Sequence, residues 1–421
     1  MDLGGKIKEI RKHLGLSQEN IAHYCGCGVA TISRIERGLS DCDSDMLKAI
    51  KRALGIEGAP LFEEESAAFH ERFYVWGQLM SDRRLEDAKE LNQELSVILK
   101  LPFEKSLIML YRLFSVQFLL TCGEYDAAEE MLDELTNELE DMENEHLYHY
   151  YRVRNVLSFR RGDYKSALKF VLKALELKEY NLGSLAGLYY SVAVGYSCLS
   201  RPLRAILYLE EARRHHNDDR LSVLSVFIDH VFALNYLRID ELNRAKVLLD
   251  KALLKAESIG RKLGRKKYIG MILHLLGYYH QKRNEPEQAL RYYNRAYEFF
   301  YVSSLDHMEN TYRKINCLIE LKRQGEAKTL LSQALDEARH NEVFTVVFEA
   351  LRRTLSLREN GAANYLEEHS LPFLLNRSEF FYALDFCHLL EKNYMKTGNN
   401  KKSLEISRKI RLIYEDIFLG E

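Results

Sequence analysis

Proline is scarce in this sequence, with five prolines among 421 residues. Because proline interrupts helices, its scarcity, together with the strong usage of leucine, alanine, glutamate, lysine and arginine, predicts an all-α protein. Hydrophobic residues make up 47% of the chain. A chain of this length exceeds one ordinary domain, so it predicts two or more domains or an array of repeats.

A large excess of either charge is also absent, because the formal net charge is −2. This excludes a positive field over the whole protein that would draw it to nucleic acid. Basic residues are in excess only locally: between Lys6 and Arg37, six basic and three acidic side chains give a net charge of +3. A module with this charge would bind DNA phosphates only modestly, which favours a dimer.

The seven cysteines are odd in number and scattered, and no signal peptide precedes them. This pattern predicts a reduced, cytoplasmic protein without a disulfide framework. Cys25 and Cys27, with His23 and Cys42 nearby, are an alternative set of metal ligands. Cys25 lies where a helix needs a small buried apolar residue, so we predict no metal and no cofactor. The uncharged residues 180–200 are only weakly apolar and predict a buried helix rather than a membrane span.

Catalytic motifs are missing as well. The sequence has no nucleophile elbow, phosphate-binding loop, His-Glu-x-x-His motif or paired-cysteine zinc spacing. We therefore predict that the protein is not an enzyme.

Residues 17–38, SQENIAHYCGCGVATISRIERG, predict two short helices joined by a glycine turn. Each helix has a narrow apolar stripe, and Ser17 is a suitable N-cap with Asn20 three residues later. Gly38 is expected to end the second helix. This is the layout of a helix-turn-helix, whose second helix enters the major groove of DNA.

A helix over about residues 5–13 precedes the motif, with Ile7, Ile10 and Leu14 as its apolar stripe. Its cations are expected to flank the DNA backbone; they are Lys6, Lys8, Arg11 and Lys12. After the motif, Asp43 or Ser44 is expected to cap a helix that Gly55 ends. Residues 4–57 as a whole resemble the Cro/repressor (Xre-type) helix-turn-helix, which implies a five-helix domain over residues 1–57.

Residues 58–66 combine glycine, proline and acidic side chains and are the predicted linker. Beyond them, over residues 67–421, a small residue recurs every 36 to 44 positions at the start of a predicted second helix of a helical hairpin. The nine positions are Ala88, Ala128, Ala167, Ala205, Ala245, Ala289, Ala327, Ala363 and Ser403. This resembles about nine tetratricopeptide repeats stacked into a right-handed superhelix, with the first helices lining a concave groove that suits an extended peptide.

The whole chain is similar to the RRNPP peptide-pheromone receptors of Gram-positive bacteria. The resemblance implies a cytoplasmic transcriptional regulator whose repeat domain binds a short signalling peptide and mediates homodimers or higher oligomers. The peptide would alter oligomeric state or binding to a palindromic double-stranded operator. The alternative is a repeat protein that docks onto another regulatory protein, such as a response regulator, with DNA binding secondary.

The resemblance to the Xre-type domain implies a set of DNA contacts on this chain. Gln18 is expected to contact a phosphate, and Val29 a thymine methyl group. Thr31 and Arg34 lie one turn apart and are expected to reach base edges, while Ser33 and Arg37 reach the backbone. The alternative for Arg34 and Arg37 is that they are merely solvated or pair with Glu36.

The repeat register predicts which side chains face the groove. Three asparagines among them, Asn155, Asn235 and Asn316, suit a peptide backbone because an amide both donates and accepts hydrogen bonds. The other predicted peptide contacts are Arg152, Tyr190, His230, His274, Tyr278, Tyr312 and Arg313. The alternative for the aromatic members is packing between repeats.

Overall fold

The computed structural model describes residues 3–56, 63–82, 84–98, 105–181, 184–216, 222–258, 265–302, 304–356 and 359–419. Throughout these ranges the regular secondary structure is helical. The all-α fold class predicted from the sequence is therefore confirmed.

The N-terminal domain contains four helices within residues 3–56: α1 (Leu3–His13), α2 (Gln18–Tyr24), α3 (Val29–Glu36) and α4 (Ser44–Ala53). The fifth helix predicted for this domain is not among those residues. The predicted caps are present. The Ser17 side chain accepts a hydrogen bond from the Asn20 amide at 3.1 Å, and the Asn20 side chain accepts one from the Ser17 amide at 2.8 Å. The Asp43 carboxylate caps α4 by accepting from the Met46 amide at 2.7 Å.

The four helices enclose a hydrophobic core of their own. Its buried members are Ile7, Ile10, Ile21, Ala22, Ile32, Ile35, Ile50, Leu54 and Ile56. Leu14, which the predicted stripe of the first helix included, follows the end of α1 and is more exposed than expected, at 37%. Val29 opens α3 and is 40% exposed, as the predicted contact with DNA requires. Gly4 lets α1 approach α3 closely, because a Cβ atom there would lie 2.0 Å from the Ile35 carbonyl oxygen.

The predicted linker lies mostly outside the described residues. Within its range, residues 63–66 form the first turn of helix α5 (Glu63–Ser81).

Nine helix pairs follow, as the repeat register predicts. The first helices are α5, α7 (Lys105–Cys122), α9 (Asn144–Arg160), α11 (Ala186–Cys198), α13 (Val223–Arg238), α15 (Arg265–Lys282), α17 (Leu305–Glu320), α19 (Glu342–Ser356) and α22 (Phe380–Lys396). The second helices are α6 (Leu85–Ile98), α8 (Tyr125–Thr136), α10 (Tyr164–Glu176), α12 (Pro202–Arg214), α14 (Leu242–Ser258), α16 (Pro286–Tyr297), α18 (Gln324–Glu337), the pair α20 (Glu359–Tyr365) and α21 (Leu371–Asn376), and α23 (Asn400–Leu419).

The nine small residues that set the register are all buried in these second helices. They permit the close approach of helices within a pair. Gly277 on α15 does the same from the first helix, since a Cβ atom there would lie 2.5 Å from the ring of the buried Tyr293. The eighth second helix is interrupted by a π-helical segment, Leu366–Ser370. Pro372 follows this segment at the start of α21 and lacks the amide hydrogen that a continuous α-helix would use.

The chain divides into two compact units, Met1–Gly183 and Ser184–Glu421. In the second unit, the successive first helices contact one another; they are α11, α13, α15 and α17. The last helix, α23, contacts α12 in the first helix pair of this unit. The guanidinium of Arg238 at the end of α13 lies 4.4 Å from the ring centre of Phe381 on α22. Arg201, at the start of α12, donates to the Asp416 carbonyl oxygen on α23. The first helices of this unit therefore surround an interior.

Candidate DNA-binding and peptide-binding surfaces

Helix α3 and its C-cap residue Arg37 carry the predicted DNA contacts other than Gln18, which is on α2. Ile32 and Ile35 are buried, whereas Arg34 and Arg37 are exposed and Thr31 and Ser33 are partly exposed. The Arg37 side chain folds back along the helix, and its Nε donates to the Ser33 carbonyl oxygen at 3.1 Å. Arg34 remains a long hydrogen-bond donor on the open face.

Glu36 is turned away from this face and held in the domain interior. Its carboxylate accepts two hydrogen bonds from Arg11, at 2.5 and 2.9 Å, and a third from the Gln18 amide nitrogen at 2.7 Å. Burial alone would raise the pKa of Glu36, but the hydrogen bonds from Arg11 and Gln18 and the nearby charges of Arg11 and Lys8 outweigh it and lower the pKa.

Three sequence-based expectations change as a result. The alternative that Arg34 or Arg37 pairs with Glu36 is wrong, because Arg11 occupies that carboxylate. Arg11 is buried and so does not flank the DNA backbone, contrary to the expectation for helix α1. The side-chain amide nitrogen of Gln18 donates to Glu36, so a phosphate contact from Gln18 would need its backbone amide or a reoriented side chain.

The charge of the domain surface is unchanged by this ion pair. Removing Arg11 and Glu36 leaves five basic and two acidic residues between Lys6 and Arg37, again a net charge of +3. Cys25, Cys27 and Cys42 pack against the hydrophobic core of the domain, and burial raises the pKa of Cys42 to about 11. Within the described parts of the chain, no group of three or more histidine, cysteine, aspartate or glutamate residues is arranged to hold a metal ion.

The ten predicted peptide contacts all lie on first helices. Arg152 and Asn155 are on α9 in the first unit. The other eight are in the second unit, on α11, α13, α15 and α17.

The two buried asparagines already hold helices together. Asn155 donates to the Ala167 carbonyl oxygen at 2.9 Å, which joins α9 to α10. The Asn235 amide nitrogen donates to Ser197 Oγ at 3.1 Å and to the Val231 carbonyl oxygen at 2.8 Å. A peptide contact from either amide would compete with these bonds. The third asparagine, Asn316, is partly exposed.

Arg313 is the centre of a polar network in the second unit. Its guanidinium donates to Glu309 Oε1 at 2.9 Å and to Asp385 Oδ2 at 3.4 Å, and lies 4.4 Å from the ring centre of Tyr278. The Tyr312 hydroxyl also donates to Asp385 Oδ2, at 2.9 Å. The network thereby connects α17 to α22. Sequence reasoning found Arg313 and Tyr312 but missed their carboxylate partners, since these follow no periodic pattern.

Burial lowers the pKa of both histidines among the predicted peptide contacts, His230 and His274. Burial lowers the pKa of His274, and its Nδ1 donates to Asn310 Oδ1 at 3.1 Å, while the Asn310 amide nitrogen donates to the Tyr293 carbonyl oxygen. Burial also lowers the pKa of His230 to about 4. Its Nδ1 is buried and has no hydrogen-bond partner among the described residues. Tyr190 stacks on Phe227, with ring centres 6.1 Å apart.

Residues 7–61 match the helix-turn-helix family HTH_3. The N-terminal domain is a helix-turn-helix domain. The chain is 22% identical to response regulator aspartate phosphatase A of Bacillus subtilis (strain 168) over 287 residues. The matched region covers 65% of this chain and 72% of that protein.

The fold of the repeat region is shared with solved structures. The Rap protein complexed with competence and sporulation factor superimposes with a TM-score of 0.73 at 16% identity, over 84% of this chain and 99% of that chain. NprR in complex with its cognate peptide NprX gives a TM-score of 0.69 at 19% identity, over 82% and 98% of the two chains. The resemblance to RRNPP receptors predicted from the sequence is therefore confirmed as a likeness of fold. Within the described residues, no helix has both the length and the hydrophobicity that crossing a membrane requires.

Proposed function

We propose that this protein is a DNA-binding transcriptional regulator whose repeat region binds a short signalling peptide, and that the peptide changes its oligomeric state or its DNA binding. The observation that carries the DNA-binding part is the exposed face of α3. Arg34 extends from it, and the neighbouring Glu36 cannot neutralise it because Arg11 holds that carboxylate. An arginine in this position can donate two hydrogen bonds to a guanine edge in the major groove.

The peptide-binding part rests on the interior of the second unit. His230 Nδ1 is buried there without a partner among the described residues, and Tyr278, His274 and Asn316 lie on the same set of first helices. An extended peptide could satisfy such groups with its backbone and side chains. Among the solved structures of similar fold, the Rap protein was captured with competence and sporulation factor and NprR with its cognate peptide NprX. By analogy, a peptide is the ligand class that we assign to this interior.

A homodimer is the form that we propose for DNA binding. A single helix-turn-helix domain with a local charge of +3 makes few phosphate contacts. Two domains that read half-sites roughly one helical turn (~34 Å) apart reach useful specificity, and their operator is an imperfect palindrome.

The test is selection of duplexes from a random DNA library by the full-length protein, followed by footprinting on the selected sequence and sedimentation at micromolar concentration. We expect a palindromic consensus, protection of both half-sites and a dimer. A monomer that protects one half-site would contradict the dimer, and failure to enrich any sequence would contradict specific DNA binding.

A second candidate function is docking onto a response regulator, with DNA binding secondary. The observation in its favour is the sequence similarity to a protein named response regulator aspartate phosphatase A. The two functions separate in one experiment, in which response regulators phosphorylated by a small-molecule phosphodonor are incubated with the full-length protein. Accelerated loss of phosphate would support docking and would also contradict our prediction that the protein is not an enzyme. Unchanged phosphate together with a selected operator supports the regulator.

A further inference from the structure

The segment Ser378–Tyr382 at the start of α22 lies inside the second unit, where it contacts the turn between α11 and α12 and the helices α13 and α17. The Ser378 carbonyl oxygen accepts from Ser200 Oγ at 3.5 Å. Phe380 lies under the guanidinium of Arg201, and Phe381 under that of Arg238. The Tyr382 hydroxyl donates to the Glu309 carboxylate on α17. Glu379 thus lies between residues that contact the turn between α11 and α12 and the helices α13 and α17.

Unlike the carboxylates of Glu309, Asp385 and Asp240, that of Glu379 has no direct partner for its charge among the described residues. Glu309 and Asp385 share the guanidinium of Arg313, and Asp240 pairs with Lys282 at 2.8 Å. The Glu379 side chain is only partly exposed, yet it makes no hydrogen bond or ion pair with any residue that the structure describes.

The cations that act on Glu379, Arg238 and Arg377, make their direct contacts with other residues. Arg238 donates to the carbonyl oxygen and to Oγ of Ser197, at 2.7 and 3.0 Å. Arg377 pairs with Glu342. Arg238 and Arg313 together carry two positive charges, against three negative charges on Glu309, Asp385 and an ionised Glu379. This cluster therefore has a net charge of −1, which one added cation would neutralise.

We propose that Glu379 binds a cationic group of the peptide, either a lysine or arginine side chain or the N-terminal ammonium group. The proposal rests on the peptide-binding function proposed above and specifies the chemical class of its ligand. A carboxylate that is partly removed from water and unpaired forms strong charge-assisted hydrogen bonds with a cation that enters the interior.

The same arrangement makes binding depend on pH. Burial, and next the negative charge of Glu309, raise the pKa of Glu379 to about 7, although Arg238 and Arg377 act in the opposite direction. The other titratable groups that face Glu379 are Cys198 and Tyr382, and both have raised pKa values. They stay protonated near neutral pH. A bound cation favours the ionised carboxylate, so affinity should rise as pH increases from about 5 to 8 and level off above the pKa of the free protein.

The test uses random heptapeptide pools, one with free N-termini and one N-acetylated, incubated with the full-length protein and analysed by affinity selection with mass spectrometry. We expect the enriched peptides to share a lysine or arginine at one position. If peptides that lack lysine and arginine are enriched from the pool with free N-termini but not from the acetylated pool, the cation is the N-terminal ammonium group. The best peptide is then titrated by fluorescence anisotropy at several pH values.

The variant Glu379→Gln keeps the size and hydrogen-bonding capacity of the side chain but removes its charge. It should weaken binding of the cationic peptide by at least about tenfold at pH 8 and abolish the pH dependence. Replacing the peptide cation with glutamine should then cost little further. The matched control is Glu405→Gln on the exposed face of α23, which should change neither quantity.

The possible failures can be told apart. If no peptide is enriched, the proposed peptide-binding function fails. If peptides are enriched without a cation, or if Glu379→Gln binds cationic peptides as tightly and with the same pH dependence as the wild type, only the role of Glu379 is overturned. Circular dichroism of Glu379→Gln shows whether the variant is folded. If the same selection is repeated with this variant and enriches peptides without a preference for lysine or arginine, the result supports the role of Glu379 directly.

Discussion

The guanidinium of Arg11 and the carboxylate of Glu36 form two hydrogen bonds across the helix-turn-helix domain, from Nε to Oε1 at 2.5 Å and from Nη2 to Oε2 at 2.9 Å. Both side chains are almost fully buried. The pair joins α1 to the end of the recognition helix and leaves Arg34 as an open donor two residues away. Glu36 thus holds α3 against α1 and is not available to pair with Arg34 or Arg37, the arginines that our proposal assigns to DNA.

Glu36→Gln should destabilise the helix-turn-helix domain. Loss of the carboxylate leaves Arg11 as a buried charge without its counter-ion, which typically costs about 3–5 kcal/mol. Hydrogen exchange of the amides of α1 and α3 in the full-length protein measures this loss. The exposed Glu19→Gln on α2 is the control and should leave exchange unchanged; equal protection in Glu36→Gln and wild type would contradict a stabilising role.

The same pair predicts a loss of stability in acid. Because the folded state lowers the pKa of Glu36 below its ordinary value of 4.5, the contribution of the pair is fully present above that value. It is lost as the pH falls through the lower pKa of the folded state. Amide protection of α1 and α3 should therefore decrease below about pH 4.5 in the wild type, and this acid-dependent component should be absent in Glu36→Gln.

Arg34→Ala should reduce affinity for the selected operator by about 1–3 kcal/mol while the domain stays folded, since Arg34 is exposed and reads base edges in our proposal. Binding to unrelated duplexes should fall much less. Arg34→Lys separates charge from geometry, because lysine keeps the positive charge but lacks the planar fork. It should retain the salt dependence of binding and still lose operator preference. Operator affinity that is unaffected by both substitutions would show that Arg34 does not read bases.

Gly277→Ala should destabilise the second unit. The new Cβ atom would lie 2.5 Å from the ring of Tyr293, which is buried and cannot move away freely, and overpacking of this kind costs about 1–3 kcal/mol. Gly187→Ala is the matched control, since Gly187 is also inside a first helix and a Cβ atom there meets nothing within 4 Å. Chemical denaturation followed by circular dichroism should show a lower midpoint for Gly277→Ala only.

Local patterns in the sequence account for most of the fold. Small residues that recur every 36 to 44 positions were enough to predict all nine helix pairs, because each pair buries the same kind of contact. The break in the eighth second helix was not predicted, although Pro372 offered a signal in its sequence. Caps at Ser17 and Asp43 were predictable because the side chain that caps a helix lies within three residues of the amide it accepts from.

Long-range polar pairs could not be predicted in the same way. Arg11 and Glu36 are 25 positions apart, and Tyr312 and Asp385 are 73 apart, so neither pair has a local spacing. From the sequence of one amphipathic helix alone, a cation that is buried in an ion pair cannot be distinguished from a cation that is exposed to solvent. The sequence therefore predicted Arg313 but not the carboxylates of this interior, Glu309, Asp385 and Glu379.

Peptide and operator binding should be coupled reciprocally. A peptide can change DNA binding only if it binds one arrangement of the protein better than another, and linkage then requires operator DNA to change peptide affinity by the same factor. Such factors are typically about 5–150. Because the helix-turn-helix domain has its own hydrophobic core, we expect the change to lie in the repeat region or the oligomeric state and not inside the domain.

Four titrations of the full-length protein close this cycle: peptide with and without saturating operator, and operator with and without saturating peptide. The factor by which operator changes peptide affinity should equal the factor by which peptide changes operator affinity. Arg34→Ala should bind operator more weakly but should bind peptide as tightly as the DNA-free wild-type protein does. Small-angle scattering and sedimentation identify which property the peptide changes. Tight peptide binding that leaves the scattering profile, the oligomeric state and the operator affinity all unchanged would rule out a peptide-controlled regulator and favour the docking function.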